Sequence, residues 1–288
     1  MGRHHYHAGD GRAHLIGGST RRGAGYHFFN EHWAWSDRDW TLVDTLPFPR
    51  SSHRVVYHGG RNSLILFGGG SGRAFAADSS LWEWRGDGWR RLGANPLGGA
   101  AEPGLCYDVK RRRVVGFGGW DQANTYSAAL WEWTGNEFLA PAAQGPTPRA
   151  GHAFLYDAKR ERCLLFGGRG DQGLLADTWE WDGRTWRKLD VTGPSPRWFF
   201  GAATDFAQSR IVLFGGSTDE GDLGDTWSWN GSQWTLLATE GPMPRGMAKL
   251  ASDGNAVLLF GGRSQRSLGF ADLNDVWTLS GSTWKRVE

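Results

Sequence analysis

A Gly-Gly pair recurs six times along the chain, at Gly17-Gly18, Gly68-Gly69, Gly118-Gly119, Gly167-Gly168, Gly215-Gly216 and Gly261-Gly262. The successive intervals are 51, 50, 49, 48 and 46 residues. Each pair is followed by a second marker: Trp33-x-Trp35, Trp82-x-Trp84, Trp131-x-Trp133, Trp179-x-Trp181, Trp227-x-Trp229 and Trp277-x-Leu279. Five residues further on stands a third aromatic, at Trp40, Trp89, Phe138, Trp186, Trp234 and Trp284. Three markers in register over six copies make the 288 residues an array of like units.

Residues 146–189 show what one unit folds into. Arg149 to Tyr156 reads as a first strand and Asp157 to Arg160 as a polar turn. Cys163-Leu-Leu-Phe166 is an apolar run buried on both sides and closed by Gly167-Gly168. Thr178-Trp-Glu-Trp181 alternates, so both indoles face one way and Glu180 the other. Asp182-Gly183 is a hairpin turn, and Trp186 to Leu189 completes the sheet. A four-stranded sheet with two apolar faces is stable only when stacked against its neighbours, and stacking around an axis leaves only short edges. The sequence therefore predicts an all-β protein, a six-bladed β-propeller with four antiparallel strands per blade. It forms one domain over 1–288, with blades near 1–46, 47–95, 96–144, 145–192, 193–240 and 241–288. Each blade is contiguous, so ring closure is expected from packing between blades 1 and 6, without strand exchange.

Composition agrees with this reading and excludes others. The 44 glycines lack a Gly-X-Y period, and the 18 tryptophans need a packed core, which rules out collagen and disorder. A net charge of +2 predicts no attraction to nucleic acid. No apolar run reaches the length of a membrane span, and the N-terminus lacks an apolar signal core, so no membrane partner and a cytoplasmic location are expected. Cys106 and Cys163 sit in apolar surroundings and read as inert buried thiols. His5 and His7 share a strand face, yet no carboxylate or cysteine accompanies them at ligand spacing; neither metal nor cofactor is expected.

The variable segments after the Gly pairs (19–32, 70–81, 120–130, 169–178, 217–226 and 263–276) mark one face of the ring as the place to look for binding. The first strand lies nearest the axis, and its opening residue repeats as Arg50, Arg149, Arg197 and Arg245, with Ala100 in blade 3. These four guanidinium groups form either an anion-attracting ring or bridges between adjacent blades, each bonding loop carbonyls or a neighbouring Asp. Departures from the repeat single out Trp198-Phe199, the loop Trp120-Asp121-Gln122 to Tyr126, Arg169 and Arg263 as ligand-binding positions. Aromatic area beside polar groups suits a polar or anionic small ligand, such as a sugar acid, and equally a peptide or protein. Glu102, Asp121, Tyr126 and His53 are the acid–base candidates, should they meet one substrate; the chemistry would be that of a cofactor-free isomerase or lyase.

The Gly-Gly, Trp-x-Trp and third-aromatic markers together resemble the kelch repeat over the whole chain. The resemblance implies a propeller and leaves activity open. Many kelch relatives are protein-interaction modules, and in several the arginines opening the inner strands, here Arg50, Arg149, Arg197 and Arg245, grip acidic peptides. Others are enzymes. The copper and Cys–Tyr cross-link of galactose oxidase find no match around Cys106 or Cys163, and the Glu-x3-Asp-x3-His iron site of nitrile-specifier proteins is broken at Arg91 after Glu83 and Asp87. Sialic-acid epimerases, metal-free six-bladed rings, are the enzyme analogy least contradicted.

Overall fold

In the computed structural model, which describes residues 4–7, 10–23, 25–36, 39–71, 77–121, 123, 125–266 and 269–288, six four-stranded antiparallel sheets form and no described residue is helical. Blade 1 comprises His4–His7, Ala13–Arg22, Gly25–Ser36 and Asp39–Thr45; blade 2, Ser51–His58, Ser63–Gly70, Ser80–Trp84 and Trp89–Ala94. Blade 3 comprises Gly104–Asp108, Arg113–Phe117, Leu130–Trp133 and Phe138–Leu139; blade 4, Ala153–Asp157, Arg162–Phe166, Thr178–Trp181 and Trp186–Leu189. Gly201–Asp205, Arg210–Ser217, Asp222–Trp229 and Trp234–Ala238 make blade 5. Lys249–Ser252, Val257–Arg266, Gly269–Ser280 and Thr283–Val287 make blade 6. Each first strand touches the first strands of its two neighbours, and that of blade 6 touches that of blade 1, so the ring closes. His4–His7 pairs with Ala13–Ile16 in its own sheet, and no strand is exchanged among the described residues.

The marker residues do the inter-blade packing expected of them. Trp181 and Trp229 are fully buried. Their indoles donate to the preceding blade, Trp181 to Glu132 Oε1 at 3.1 Å and Trp229 to Asp157 Oδ2 at 2.7 Å. Trp234 and Trp284 donate likewise to Thr178 and Thr226, at 3.1 and 2.9 Å. Buried indole N–H groups need partners, so each bond both satisfies a donor and fixes the angle between two sheets. Cys106 and Cys163 are buried free thiols facing each other across blades 3 and 4, and burial pushes both thiols up from their ordinary pKa.

Two local features differ from the sequence expectation. The segments after the Gly pairs are partly strand: in blades 1, 5 and 6 the ladder resumes beyond the pair after a register shift. The Gly pair is the bulge that resets it. At Gly168 φ is +95° and a Cβ would lie 2.8 Å from the Ala150 carbonyl, so only glycine serves. The first strand of blade 4 also starts at Ala153, four residues later than alternation predicts. Its upstream residues adopt a special conformation that shapes the axis of the ring.

Candidate functional site

Around the axis, one residue in each of blades 2–6 turns left-handed: Ser52, Glu102, Gly151, Phe199 and Met247, with φ of 60°, 50°, 65°, 53° and 58°. This conformation costs a non-glycine residue about 1 kcal/mol or more. A belt of backbone hydrogen bonds holds it. Glu102 donates to the Ser52 carbonyl (2.8 Å), Gly151 to Glu102 (3.0 Å), Phe199 to Gly151 (3.1 Å) and Met247 to Phe199 (2.6 Å). The chains are drawn together there, forming a throat.

The four repeat arginines support this throat from behind. Each guanidinium binds the carbonyl of the first glycine of its own Gly pair, at 3.1 Å for Arg50 and Arg149 and 3.0 Å for Arg197 and Arg245. Each also pairs with a carboxylate: Arg50 with Asp78, Arg149 with Asp177, Arg197 with Asp225 and Arg245 with Asp275. Their backbone carbonyls bind the second glycine of the preceding blade, as Arg149 does to Gly119 at 2.8 Å. The side chains are 0–1% exposed. The guanidinium groups are thus engaged within their own blades and form no free anion-attracting ring, while the link to the adjacent blade runs through the backbone carbonyls of these residues and not through their side chains.

Below the throat lies a cavity of about 850 Å³, walled by the inner strands from Arg54 to Gly60, Leu105 to Arg112, His152 to Ala158, Phe200 to Phe206 and Ala248 to Ser252. It stops at the throat and opens among the short hairpins, on the face opposite to that expected. Its inner end carries Arg54, Lys249 and His152. Arg54 pairs with Glu102 at 2.7 Å. Burial raises the Glu102 carboxyl, but the charges of Arg54 and Lys249 outweigh it and hold the group below its ordinary value, so it stays ionised. Burial brings the Lys249 ammonium down to about 8 despite Glu102. Burial also holds His53 and His152 well below the usual imidazole value, so both are neutral. His53 is wholly buried and does not line this cavity.

On the other face the structure assembles much of what the sequence singled out. Trp120 of blade 3 packs edge-on to Trp198 (6.1 Å) and Phe199 (5.8 Å) of blade 5, which stack on each other at 4.0 Å. Tyr126 abuts Trp120 at 6.2 Å, and Arg169 lies 5.2 Å from the Trp198 ring while pairing with Asp219. Asp121 is exposed and accepts the backbone N–H groups of Ala123 and Thr125 in its own turn. Arg263 stands apart, bonded to Asp272 at 3.1 Å and close to Tyr26 and Phe270 in the long hairpins of blades 6 and 1. Gln122 lies outside the described residues. Glu102 turns to Arg54 and Asp121 to its own loop, so the four acid–base candidates do not converge.

Sequence reasoning offered a neighbouring Asp for the arginines without saying which, and missed the two channel cations. The first had a signal in Asp177-Thr-Trp179, Asp225-Thr-Trp227 and Asp275-Val-Trp277. The second had one too: four residues after the opening position, blades 3, 4 and 5 carry Gly104, Ala153 and Gly201, whereas blades 2 and 6 carry Arg54 and Lys249. Among the described residues, no three His, Cys, Asp or Glu side chains form a group able to hold a metal, and no helix is long and apolar enough to cross a membrane.

A comparison with curated proteins found no match. A family model described as the KLHDC2/KLHL20/DRC7 Kelch-repeats domain matches residues 111–288, more than half of the chain. Kelch domains generally mediate protein–protein interaction. With six blades, the Gly-pair bulges and the indole bridges on the page, the chain belongs to this kelch-repeat family.

Proposed function

We propose that the protein is a binding propeller whose central channel takes a small anionic molecule from the short-hairpin face. The observation that carries this reading is the Arg54–Glu102 ion pair, with the second cation Lys249 feeling the Glu102 charge, at the inner end of a cavity of about 850 Å³. That volume lies in the range of small-molecule sites, and its walls are mainly apolar with few polar groups, the composition that fixes a ligand's orientation. A buried positive excess is costly unless an anion neutralises it. The acid–base candidates do not converge on one substrate, so binding is the whole of the proposal.

Calorimetric titration of glucuronate against glucose, with wild type and Lys249→Met, tests it. The variant keeps the volume and removes one charge, so affinity for the acid should fall about ten-fold while glucose stays weak. Equal binding of acid and neutral sugar, or an unchanged affinity in the variant, overturns the reading.

A second reading applies to the opposite face. The half-buried patch of Trp120, Trp198, Tyr126 and Arg169 has the residue types that anchor protein interfaces, and supports a protein docking there.

A further inference from the structure

Blade 3 is the one described blade in which the opening arginine is replaced by alanine, and its structure shows what that replacement leaves. In blade 4 the Arg149 guanidinium is held by the carbonyls of Thr147 and Gly167 and by both oxygens of Asp177. The matching positions in blade 3 are Gly98, Gly118 and Ala129, with Ala100 in place of the arginine. The backbone confirms the match: Gly118 N–H donates to the Ala129 carbonyl as Gly167 N–H does to that of Asp177. Arginine and aspartate have been lost together. All four blade 3 positions line a cavity of about 220 Å³, where blades 2, 4, 5 and 6 have a buried guanidinium. The Gly118 carbonyl is thus left without the donor that binds Gly68, Gly167, Gly215 and Gly261.

We infer that this vacated arginine socket receives an arginine side chain from a protein partner docked on the loop face. The socket presents a carbonyl already placed for a guanidinium N–H. Trp120 and Tyr126 line its wall, and a guanidinium beside aromatic rings is favoured. Asp121, also on the wall, forms no ion pair among the described residues and supplies the negative charge that Asp177 supplies in blade 4. No cation lines the socket, so a free amino acid finds nothing for its α-carboxylate, whereas a peptide-borne arginine carries none. The lining continues through Trp120 into the Trp198–Phe199 stack, giving a flanking peptide residue a place to pack. This inference rests on the second reading above.

Titration of the folded protein with acetyl-arginine methylamide, followed by two-dimensional NMR, tests the socket directly. Saturable shifts at residues around Gly118 and Trp120 are expected at millimolar concentration, stronger than with free arginine and absent with the neutral isostere acetyl-citrulline methylamide. Ala129→Asp restores the carboxylate and should tighten binding about ten-fold. Ala100→Arg/Ala129→Asp rebuilds the internal pair, fills the socket and should abolish binding while raising the melting temperature. Citrulline binding as well as arginine, or binding unchanged in the double variant, overturns the inference. A panel of single-arginine hexapeptides on wild type and Trp198→Ala separates the two levels. Peptides that need Trp198 but ignore Ala100→Arg/Ala129→Asp sink the socket and spare the docking face; if neither peptide nor amide binds, both fail.

Discussion

The Arg149–Asp177 pair is the most informative place to perturb this propeller, because blade 3 already shows the structure without it. Arg149 is fully buried and its guanidinium makes five hydrogen bonds, two of them to Asp177, at 2.6 and 3.0 Å. Asp177→Ala leaves that charge buried with only carbonyl and hydroxyl partners, which should cost about 3–5 kcal/mol. Arg149→Ala is milder. Asp177 is 18% exposed and keeps the Trp179 indole N–H at 2.7 Å, so water can solvate the abandoned carboxylate; a loss of about 2–3 kcal/mol is expected from the missing hydrogen bonds and packing. The double variant has no orphaned charge and should resemble blade 3, at about 3–4 kcal/mol in total, giving a coupling energy of about 2–3 kcal/mol. Urea unfolding followed by tryptophan fluorescence measures all three, and an unchanged m-value shows that stability alone was altered. Additive costs would refute the reasoning, since they would mean that the carbonyls alone hold the guanidinium.

Acid should weaken the fold before any carboxylate titrates. His32, brought down to about 2 by burial and then by the charge of His14, and His53 and His152, held well below the ordinary value by burial, are neutral in the fold but protonate near 6.5 when unfolded. Their stabilisation is present above pH 6.5 and lost as pH falls below it, by about 2 kcal/mol per histidine between pH 7 and 5, or about 6 kcal/mol together; urea unfolding at pH 7, 6 and 5 reads it, and a flat profile contradicts the burial of these rings. Affinity of the channel for an anion should fall as pH rises through about 8, where the Lys249 ammonium deprotonates, and calorimetry on Lys249→Met should show no such step. Trp229→Phe removes the donor to Asp157 Oδ2 from a fully buried position and should cost about 2–4 kcal/mol in urea unfolding, whereas Trp229→Tyr and Trp229→His should not recover it.

The blade count was legible because its signals are local. A Gly pair that must bulge, and indoles that must find acceptors in the next sheet, are constraints each blade meets within its own 50 or so residues. The opening arginine was legible for the same reason, and an Asp partner was one of the two readings it offered, but which Asp was not legible: Asp177 stands 28 residues away, and only the joint absence of Arg and Asp at Ala100 and Ala129 identifies the two as a pair. Segment variability marks the loop face, whereas the channel cavity opens on the opposite one. What decides where the cavity lies is the left-handed turn at Ser52, Glu102, Phe199 and Met247, and no propensity marks these residues for it. Their conformation is held by the belt of hydrogen bonds between blades, which exists only once neighbouring blades have packed together. The sites then follow from departures at positions whose repeat role is known. Blades 2 and 6 put Arg54 and Lys249 where three other blades have almost no side chain, and so gain charge inside the channel. Blade 3 does the reverse, deleting an internal pair and opening a socket shaped by what its neighbours still contain. Symmetry of the scaffold is what gives both departures their meaning, since each can be compared with four or five copies of itself in the same molecule.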